Sequence, residues 1–92
     1  MIKSITHKGL KALWTKGDAS KLPANQIRKI KLILDVLDAI EEVGDMNFTG
    51  ANLHALKGEL KGKWAVTVKA NWRIIFEFNN GDVYLVDYID YH

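Results

Sequence analysis

The chain has 92 residues, of which 48% are apolar, and no cysteine, so it suits one small domain, residues 1–92, rather than two. The lack of cysteine excludes a disulfide scaffold, a thiolate nucleophile and a cysteine-ligated metal site. The net charge is +2. The sequence shows neither an apolar leader nor an apolar run of membrane-spanning length, so it predicts a soluble cytoplasmic protein.

The N-terminal part predicts a short strand and a first helix. Residues 1–5 are assigned to the strand, although the segment is too short to test for a period. Thr6 is expected to cap the helix, which ends at Gly17. Its apolar positions recur at helical spacing: Leu10, Leu13 and Trp14.

A second helix is predicted to begin near Pro23, which suits a first helical turn, and to stop at Gly44. One stripe at helical spacing holds Ile27, Ile30, Leu34, Leu37 and Glu41, and it is widened by the apolar neighbours Ile33, Val36 and Ile40. Its basic residues lie near its N-terminus and its acids near its C-terminus, which is the unfavourable arrangement for the helix dipole. This arrangement indicates that the charges have a role other than stabilising the helix. Residues 45–63 are assigned to a loop, although Leu53, Leu56 and Leu60 must pack somewhere.

The C-terminal part predicts three strands, over residues 64–69, 72–78 and 83–91. Asn80 and Gly81 form the strongest hairpin signal in the chain. The predicted fold class is α+β, with an N-terminal strand, two helices and a small antiparallel sheet whose helices cover one face.

A two-residue turn at Asn80 and Gly81 also predicts the pairing of the last two strands. The helix-covered face would hold the pairs Phe78–Val83, Phe76–Leu85, Ile74–Asp87 and Trp72–Ile89. The uncovered face would hold Glu77–Tyr84, Ile75–Val86 and Arg73–Tyr88. The same alternation gathers five polar residues at one end of the uncovered face, unless a bulge shifts the register: Lys69, Asn71, Arg73, Asp90 and His92.

Charge is segregated along the chain. Residues 1–34 carry eight Lys or Arg against Asp18 alone, and residues 35–50 carry five acids and no base. Residues 51–73 carry five Lys or Arg against one acid, and the remainder carries four acids without Lys or Arg. Such blocks predict a basic surface for a polyanion, with pairing of the charges across the fold as the alternative.

The polar cluster contains the residue types that cut RNA without metal. Attack by the 2′-hydroxyl needs a base, an acid and cations for the developing charge, which imidazole, carboxylate and guanidinium groups supply. His54 and Lys57, in the preceding basic loop, could reach the same place. The alternatives are that His54 bonds a backbone carbonyl, that His7 is a surface residue and that His92 is a frayed end without function.

Three segments carry a family resemblance: Leu-His-Ala-Leu-Lys-Gly at 53–58, Trp-Ala-Val-Thr-Val-Lys-Ala-Asn-Trp-Arg-Ile at 64–74, and Asn-Gly-Asp at 80–82 with Asp-Tyr-Ile-Asp-Tyr-His at 87–92. Over nearly its whole length the chain resembles the HigB toxins, in the plasmid maintenance killer group of the RelE superfamily. The resemblance implies a RelE-like toxin of a type II toxin–antitoxin system, a ribosome-dependent endoribonuclease that cuts mRNA in the decoding site. It also implies a HigA-type helix-turn-helix antitoxin, with operator DNA bound only through the complex, and no metal or cofactor.

The resemblance further implies a set of functional residues. Matched positions with catalytic roles are His54, Lys57, Arg73, Asp90, Tyr91 and His92, and RNA contacts are expected from Lys57, Lys69, Asn71 and Arg73. Lys57 and Arg73 would stabilise phosphate charge, the two histidines and Asp90 would handle protons and orientation, and Tyr91 would position a nucleotide. Strand alternation, however, predicts Tyr91 on the face opposite Asp90 and His92.

Two other functions stay open. ParE-like members of the superfamily act on DNA gyrase, an inhibitor function that would not need Lys57, Arg73 and His92. A catalytically inactive binding module would tolerate the loss of those residues.

Overall fold

The computed structural model describes residues 1–91. Its helices are α1 (Lys8–Lys16) and α2 (Ile27–Ala39), and its strands are β1 (His54–Ala55), β2 (Trp64–Lys69), β3 (Trp72–Asn79) and β4 (Asp82–Asp90). The strands form an antiparallel sheet in the order β1-β2-β3-β4. The predicted α+β class is therefore confirmed. Within the described residues, neither helix has the length and apolar content that a membrane crossing requires.

Helix α1 is capped by His7 and not by Thr6. The Nδ1 atom of His7 accepts hydrogen bonds from the backbone N–H groups of Gly9 and Leu10, at 3.1 and 3.2 Å. His7 is consequently half-buried rather than a surface residue, contrary to expectation. The predicted stop at Gly17 is confirmed, because this residue takes the left-handed conformation, φ 70°, that ends helices and favours glycine.

Helix α2 follows a short 3-10 turn, Ala24–Gln26, and ends at Ala39, five positions before the predicted stop at Gly44. Ile40 is already extended, with ψ 148°, so Glu41 lies outside the helix and outside its apolar stripe. The buried residues of α2 pack in the main core against the sheet: Ile30, Ile33, Leu34 and Leu37.

The N-terminal segment lies beside β4. Isolated parallel bridges join Ile2 to Val83 and Ile5 to Val86, in place of the predicted strand. The segment 45–63, predicted as a loop, contains strand β1, which pairs with β2. A two-residue strand is too short to show a period in the sequence.

The hairpin at Asn80 and Gly81 is confirmed, but the predicted register fails beyond a bulge. Near the turn the observed pairs are Asn79–Asp82, Phe78–Val83 and Glu77–Tyr84. The register then shifts near Leu85, whose φ is 53°. Beyond the shift the pairs are Ile75–Asp87, Ile74–Tyr88, Arg73–Ile89 and Trp72–Asp90. The predicted pairs Ile74–Asp87, Trp72–Ile89, Ile75–Val86 and Arg73–Tyr88 are therefore wrong, and the predicted pair Phe76–Leu85 falls at the shift itself.

The bulge exchanges the two faces of the far half of β4. Val86 and Tyr88 are buried under the helices, whereas Leu85 is 38% exposed. Asp90 is opposite Trp72 on the helix-covered face, and Arg73 is opposite Ile89 on the other face. Continued alternation from Ile89 places Tyr91, not Asp90, on the face of Arg73.

Candidate active face

The sheet surface turned away from the helices is the candidate active face. The register gives its members: His54, Ala65, Thr67, Arg73, Ile75, Asp87 and Ile89. Its apolar floor is a small separate cluster in which Leu56, Ala65 and Ile75 are buried, with Leu60 and Ile89 packed against them. Of the three leucines in the predicted loop, Leu56 and Leu60 thus pack at this face, and Leu53 packs against the main core.

Arg73 is anchored over the turn between β2 and β3. Its Nη1 atom donates hydrogen bonds to the carbonyl oxygens of Ala70 and Trp72. Its Nε atom is buried and has no hydrogen-bond partner among the described residues. Leaving a buried donor unsatisfied costs roughly 1 to 3 kcal/mol.

The end of the sheet beside this turn gathers most of the predicted polar cluster, but on two faces. The backbone N–H of Tyr91 donates to the carbonyl of Asn71 at 2.7 Å, and Lys69 pairs with Trp72. Asn71, Lys69 and Tyr91 are exposed. The expectation that Arg73 and Asp90 share the uncovered face is wrong, because the bulge moves Asp90 across; His92 lies outside the described residues.

A buried aromatic group lies under the same end of the sheet. The ring of Tyr88 stacks on Trp72, with ring centres 4.7 Å apart, and meets His7 edge-on at 5.5 Å. The Tyr88 hydroxyl donates to the Oε1 atom of Gln26, a buried polar side chain. Burial raises the pKa of the Tyr88 phenol, and the nearby charge of Asp90 raises it further, consistent with their common face.

Sequence reasoning missed Gln26 and the buried position of Tyr88. Strand alternation from Val86 predicts a buried Tyr88 only when the bulge near Leu85 is taken into account. Gln26 carries no comparable signal, because one glutamine near a helix start is ordinary.

His54 lies on the edge strand β1, and its position in the register puts it on the same face of the sheet as Arg73. Its Nδ1 atom is 2.9 Å from the carbonyl oxygen of Asn52. A carbonyl only accepts, so this bond requires the proton on Nδ1 and leaves Nε2 of the neutral ring as an acceptor. The carbonyl contact expected as the alternative role of His54 is therefore present.

The cations lie around the face rather than at one point. Lys57 is exposed just before the 3-10 turn Gly58–Leu60, while Lys63 forms a 3.1 Å ion pair with Glu77. Two strand spacings, about 10 Å, separate β1 from β3. His54 and Arg73 therefore lie on one face of the sheet, on strands that are two spacings apart. Among residues 1–91 no group of three or more His, Asp or Glu could hold a metal ion.

Comparisons with known proteins give a family match and a full-length relative. Residues 3–92 match the family model described as "RelE-like toxin of type II toxin-antitoxin system HigB". The chain is 49% identical over 92 residues to "Endoribonuclease HigB" of Proteus vulgaris, and the match covers 100% of both chains.

Two solved structures share the fold. The crystal structure of YafQ from E. coli strain BL21(DE3) superposes with a TM-score of 0.65 and 14% identity, covering 96% of this chain and 89% of that one. A mutant of YafQ from E. coli gives a TM-score of 0.59 and 15% identity over the same shares.

Proposed function

Since the chain belongs to the HigB-like family of RelE-like toxins of type II toxin–antitoxin systems, we propose that it arrests growth by cutting mRNA in the decoding site of the ribosome. The family and the full-length relative make it a toxin with endoribonuclease activity. The ribosome, the mRNA substrate and the residue roles are the proposal.

The observation that carries the proposal is the common face of His54 and Arg73. The Nε2 atom of His54 takes the proton from the 2′-hydroxyl of the nucleotide before the cut. The 2′-oxygen then forms a bond to phosphorus while the bond from phosphorus to the 5′-oxygen breaks. Arg73 and Lys57 stabilise the extra negative charge on the phosphoryl oxygens, and a protonated group returns a proton to the 5′-oxygen.

The remaining site residues divide between RNA contact and proton handling. Tyr91 is 39% exposed and follows Ile89 on the face of Arg73, which supports stacking of a base on its ring. Asn71 and Lys69 hold the adjoining backbone from the end of the sheet. Asp90 and His92 have the remaining roles in proton handling and orientation, including the proton returned to the leaving 5′-oxygen.

The partners follow from the same proposal. A type II system pairs its toxin with a protein antitoxin, here of the HigA helix-turn-helix type. Operator DNA is then bound through the toxin–antitoxin complex, and the ribosome as a partner implies a cytoplasmic location.

The test compares one mRNA in two states, free and bound in the decoding site of programmed ribosomes. Primer extension should reveal cuts only on the ribosome, because the free strand is not held in the conformation for in-line attack. Equal cutting of the free mRNA would contradict ribosome dependence. Absence of cutting in both states, with loss of gyrase supercoiling, would assign the chain to the gyrase inhibitors. No effect on either target would leave a binding module.

A further inference from the structure

We propose that a buried network beneath the candidate active face holds the guanidinium of Arg73 in place for the cleavage reaction. The network, called the Gln26 network, consists of Gln26, Tyr88 and Trp72. Gln26 and Tyr88 are buried, so they would not touch RNA and would act as positioning residues. This inference rests on the proposed function, since it explains how the phosphate-stabilising group of that site is held.

The network joins the helix layer to the strand that carries Arg73. Gln26 is the last residue of the 3-10 turn before α2, and its Oε1 atom accepts a hydrogen bond from the Tyr88 hydroxyl. The Tyr88 ring stacks on Trp72 with ring centres 4.7 Å apart and planes inclined by 13°. The carbonyl oxygen of Trp72 accepts a hydrogen bond from Arg73 Nη1 at 3.2 Å. These contacts form one continuous path from Gln26 to the guanidinium.

The direction of the Arg73 fork depends on the main chain of the turn between β2 and β3. Its Nη1 atom donates to the carbonyls of Ala70 and Trp72, while its Nε atom has no partner among residues 1–91. The side chain of Trp72 packs against the main core on the helix-covered face. A tilt of the indole would therefore move the carbonyl that holds the guanidinium.

Gln26 occupies a position where an apolar residue would be less costly. Within residues 1–91 it is the buried side chain that is polar or charged apart from the tyrosine it bonds, and it is 5% exposed. A buried amide lowers stability unless it is hydrogen-bonded. Replacing both partners of such a bond by apolar groups can be nearly neutral for stability. The bond therefore contributes mainly a defined position for the Tyr88 ring.

The bulge in β4 brings Tyr88 beneath Trp72. In a register without the shift near Leu85, Tyr88 would lie on the uncovered face, opposite Arg73. Leu85 has φ 53°, a conformation that residues other than glycine rarely adopt. Bulges next to active sites commonly redirect a side chain. Here the redirected side chain is the aromatic ring that supports the strand of Arg73.

The hydroxyl bond has one possible direction. Burial raises the pKa of Tyr88, so the phenol keeps its proton and donates, while the amide oxygen of Gln26 can only accept. The ring is consequently held at its hydroxyl end by this bond and on its face by the indole. His7 meets the Tyr88 ring edge-on, outside the stack and the hydroxyl bond, so it is not part of the network.

The first experiment measures cleavage on programmed ribosomes by the Tyr88→Phe variant, which keeps the ring and removes the hydroxyl. Its kcat should fall about tenfold, because a displacement of about 1 Å at a catalytic group can lower a rate about 100-fold. The KM for ribosomes should stay within about twofold, since the charges that bind RNA remain. An unchanged kcat would overturn the proposal.

A double variant separates positioning from stability. Tyr88→Phe combined with Gln26→Met removes both polar partners, so thermal unfolding should show a stability close to that of wild type. Its kcat should remain as low as that of Tyr88→Phe alone, because the hydroxyl bond is still missing. Recovery of the rate together with stability would overturn the proposal, since the pair would then have a structural role alone.

Val83→Ala is the matched control for lost stability. Val83 is buried in the main core on the same strand as Tyr88 and pairs with Phe78, about 20 Å along β3 from Trp72. This variant should lose at least as much stability as Tyr88→Phe, with kcat within about twofold of wild type. A fall in kcat equal to that of Tyr88→Phe would overturn the proposal, because lost stability would then explain both.

A double-mutant cycle tests whether the network acts through Arg73. In the Arg73→Lys protein the forked group is already absent, so adding Tyr88→Phe should lower kcat by less than about twofold. The two substitutions share one path and should therefore be strongly non-additive. An additional tenfold fall would overturn the assignment, since Tyr88 would then act independently of Arg73.

Failure of this proposal and failure of the proposed function give different results. Wild type that cuts on ribosomes, with an unchanged kcat in Tyr88→Phe, overturns the network alone. Wild type that cuts free mRNA equally well contradicts ribosome dependence, and the same comparison of variants on free mRNA still decides the network. Wild type that cuts neither substrate overturns both.

Discussion

Replacement of Arg73 by alanine is expected to lower mRNA cleavage on programmed ribosomes by about 100- to 1,000-fold, the usual effect of removing one preorganised donor to an oxyanion. Arg73 combines a fixed charge with a forked set of donors, and the carbonyls of Ala70 and Trp72 hold it in place. Arg73 stabilises the transition state more than the bound substrate, because negative charge develops on the phosphoryl oxygens. The Arg73→Ala substitution should therefore lower mainly kcat.

The same carbonyl bonds give Arg73 a structural role in the turn, so folding must be measured beside activity. Arg73→Lys is the matched control, since it keeps the charge and loses the fork, and it should retain an intermediate rate. Thermal unfolding should show both variants folded at the assay temperature. A folded Arg73→Ala protein that still arrests growth at low expression would contradict the assignment.

Replacement of His54 by alanine is expected to lower cleavage by about 100- to 10,000-fold, the range for a general base. The Asn52 carbonyl holds the Nδ1 proton and leaves Nε2 to accept one. The loss should fall on the rate of the chemical step rather than on ribosome binding, because a general base acts on the proton that is transferred in the transition state. The measurement is single-turnover cleavage on programmed ribosomes.

His7 provides the matched control for loss of an imidazole. It caps α1 on the other side of the sheet, and His7→Asn keeps a good helix cap. This variant should retain the wild-type rate. An unchanged rate in a folded His54→Ala protein would transfer the proton-accepting role to another residue, with Asp90, Lys57 and His92 as the candidates.

The sequence predicts elements well where local chemistry decides them. Gly17 ends α1 because the left-handed conformation favours glycine, and Asn80 with Gly81 forms the expected turn. The end of α2 was missed because buried Ile40 continues the apolar stripe beyond the last helical residue.

The active face could be predicted only in part, because the bulge in β4 leaves no mark in the sequence. Residues 83–86 are all apolar, so their alternation fits either register equally well. One extra residue there places Asp90 on the helix-covered face and Tyr91 on the face of Arg73. Residue types therefore suggest a candidate site, while their division between two faces depends on a backbone feature without a local signal.

The most direct test of the central claim is cleavage of a ribosome-bound mRNA that carries a single 2′-deoxy substitution at the nucleotide before the cut. Attack by the 2′-hydroxyl requires that this substrate resist cutting, while the unmodified mRNA yields a fragment ending in a 2′,3′-cyclic phosphate. Mass spectrometry of the fragment ends reads both results. Cutting of the deoxy substrate at the same position and rate would contradict the account.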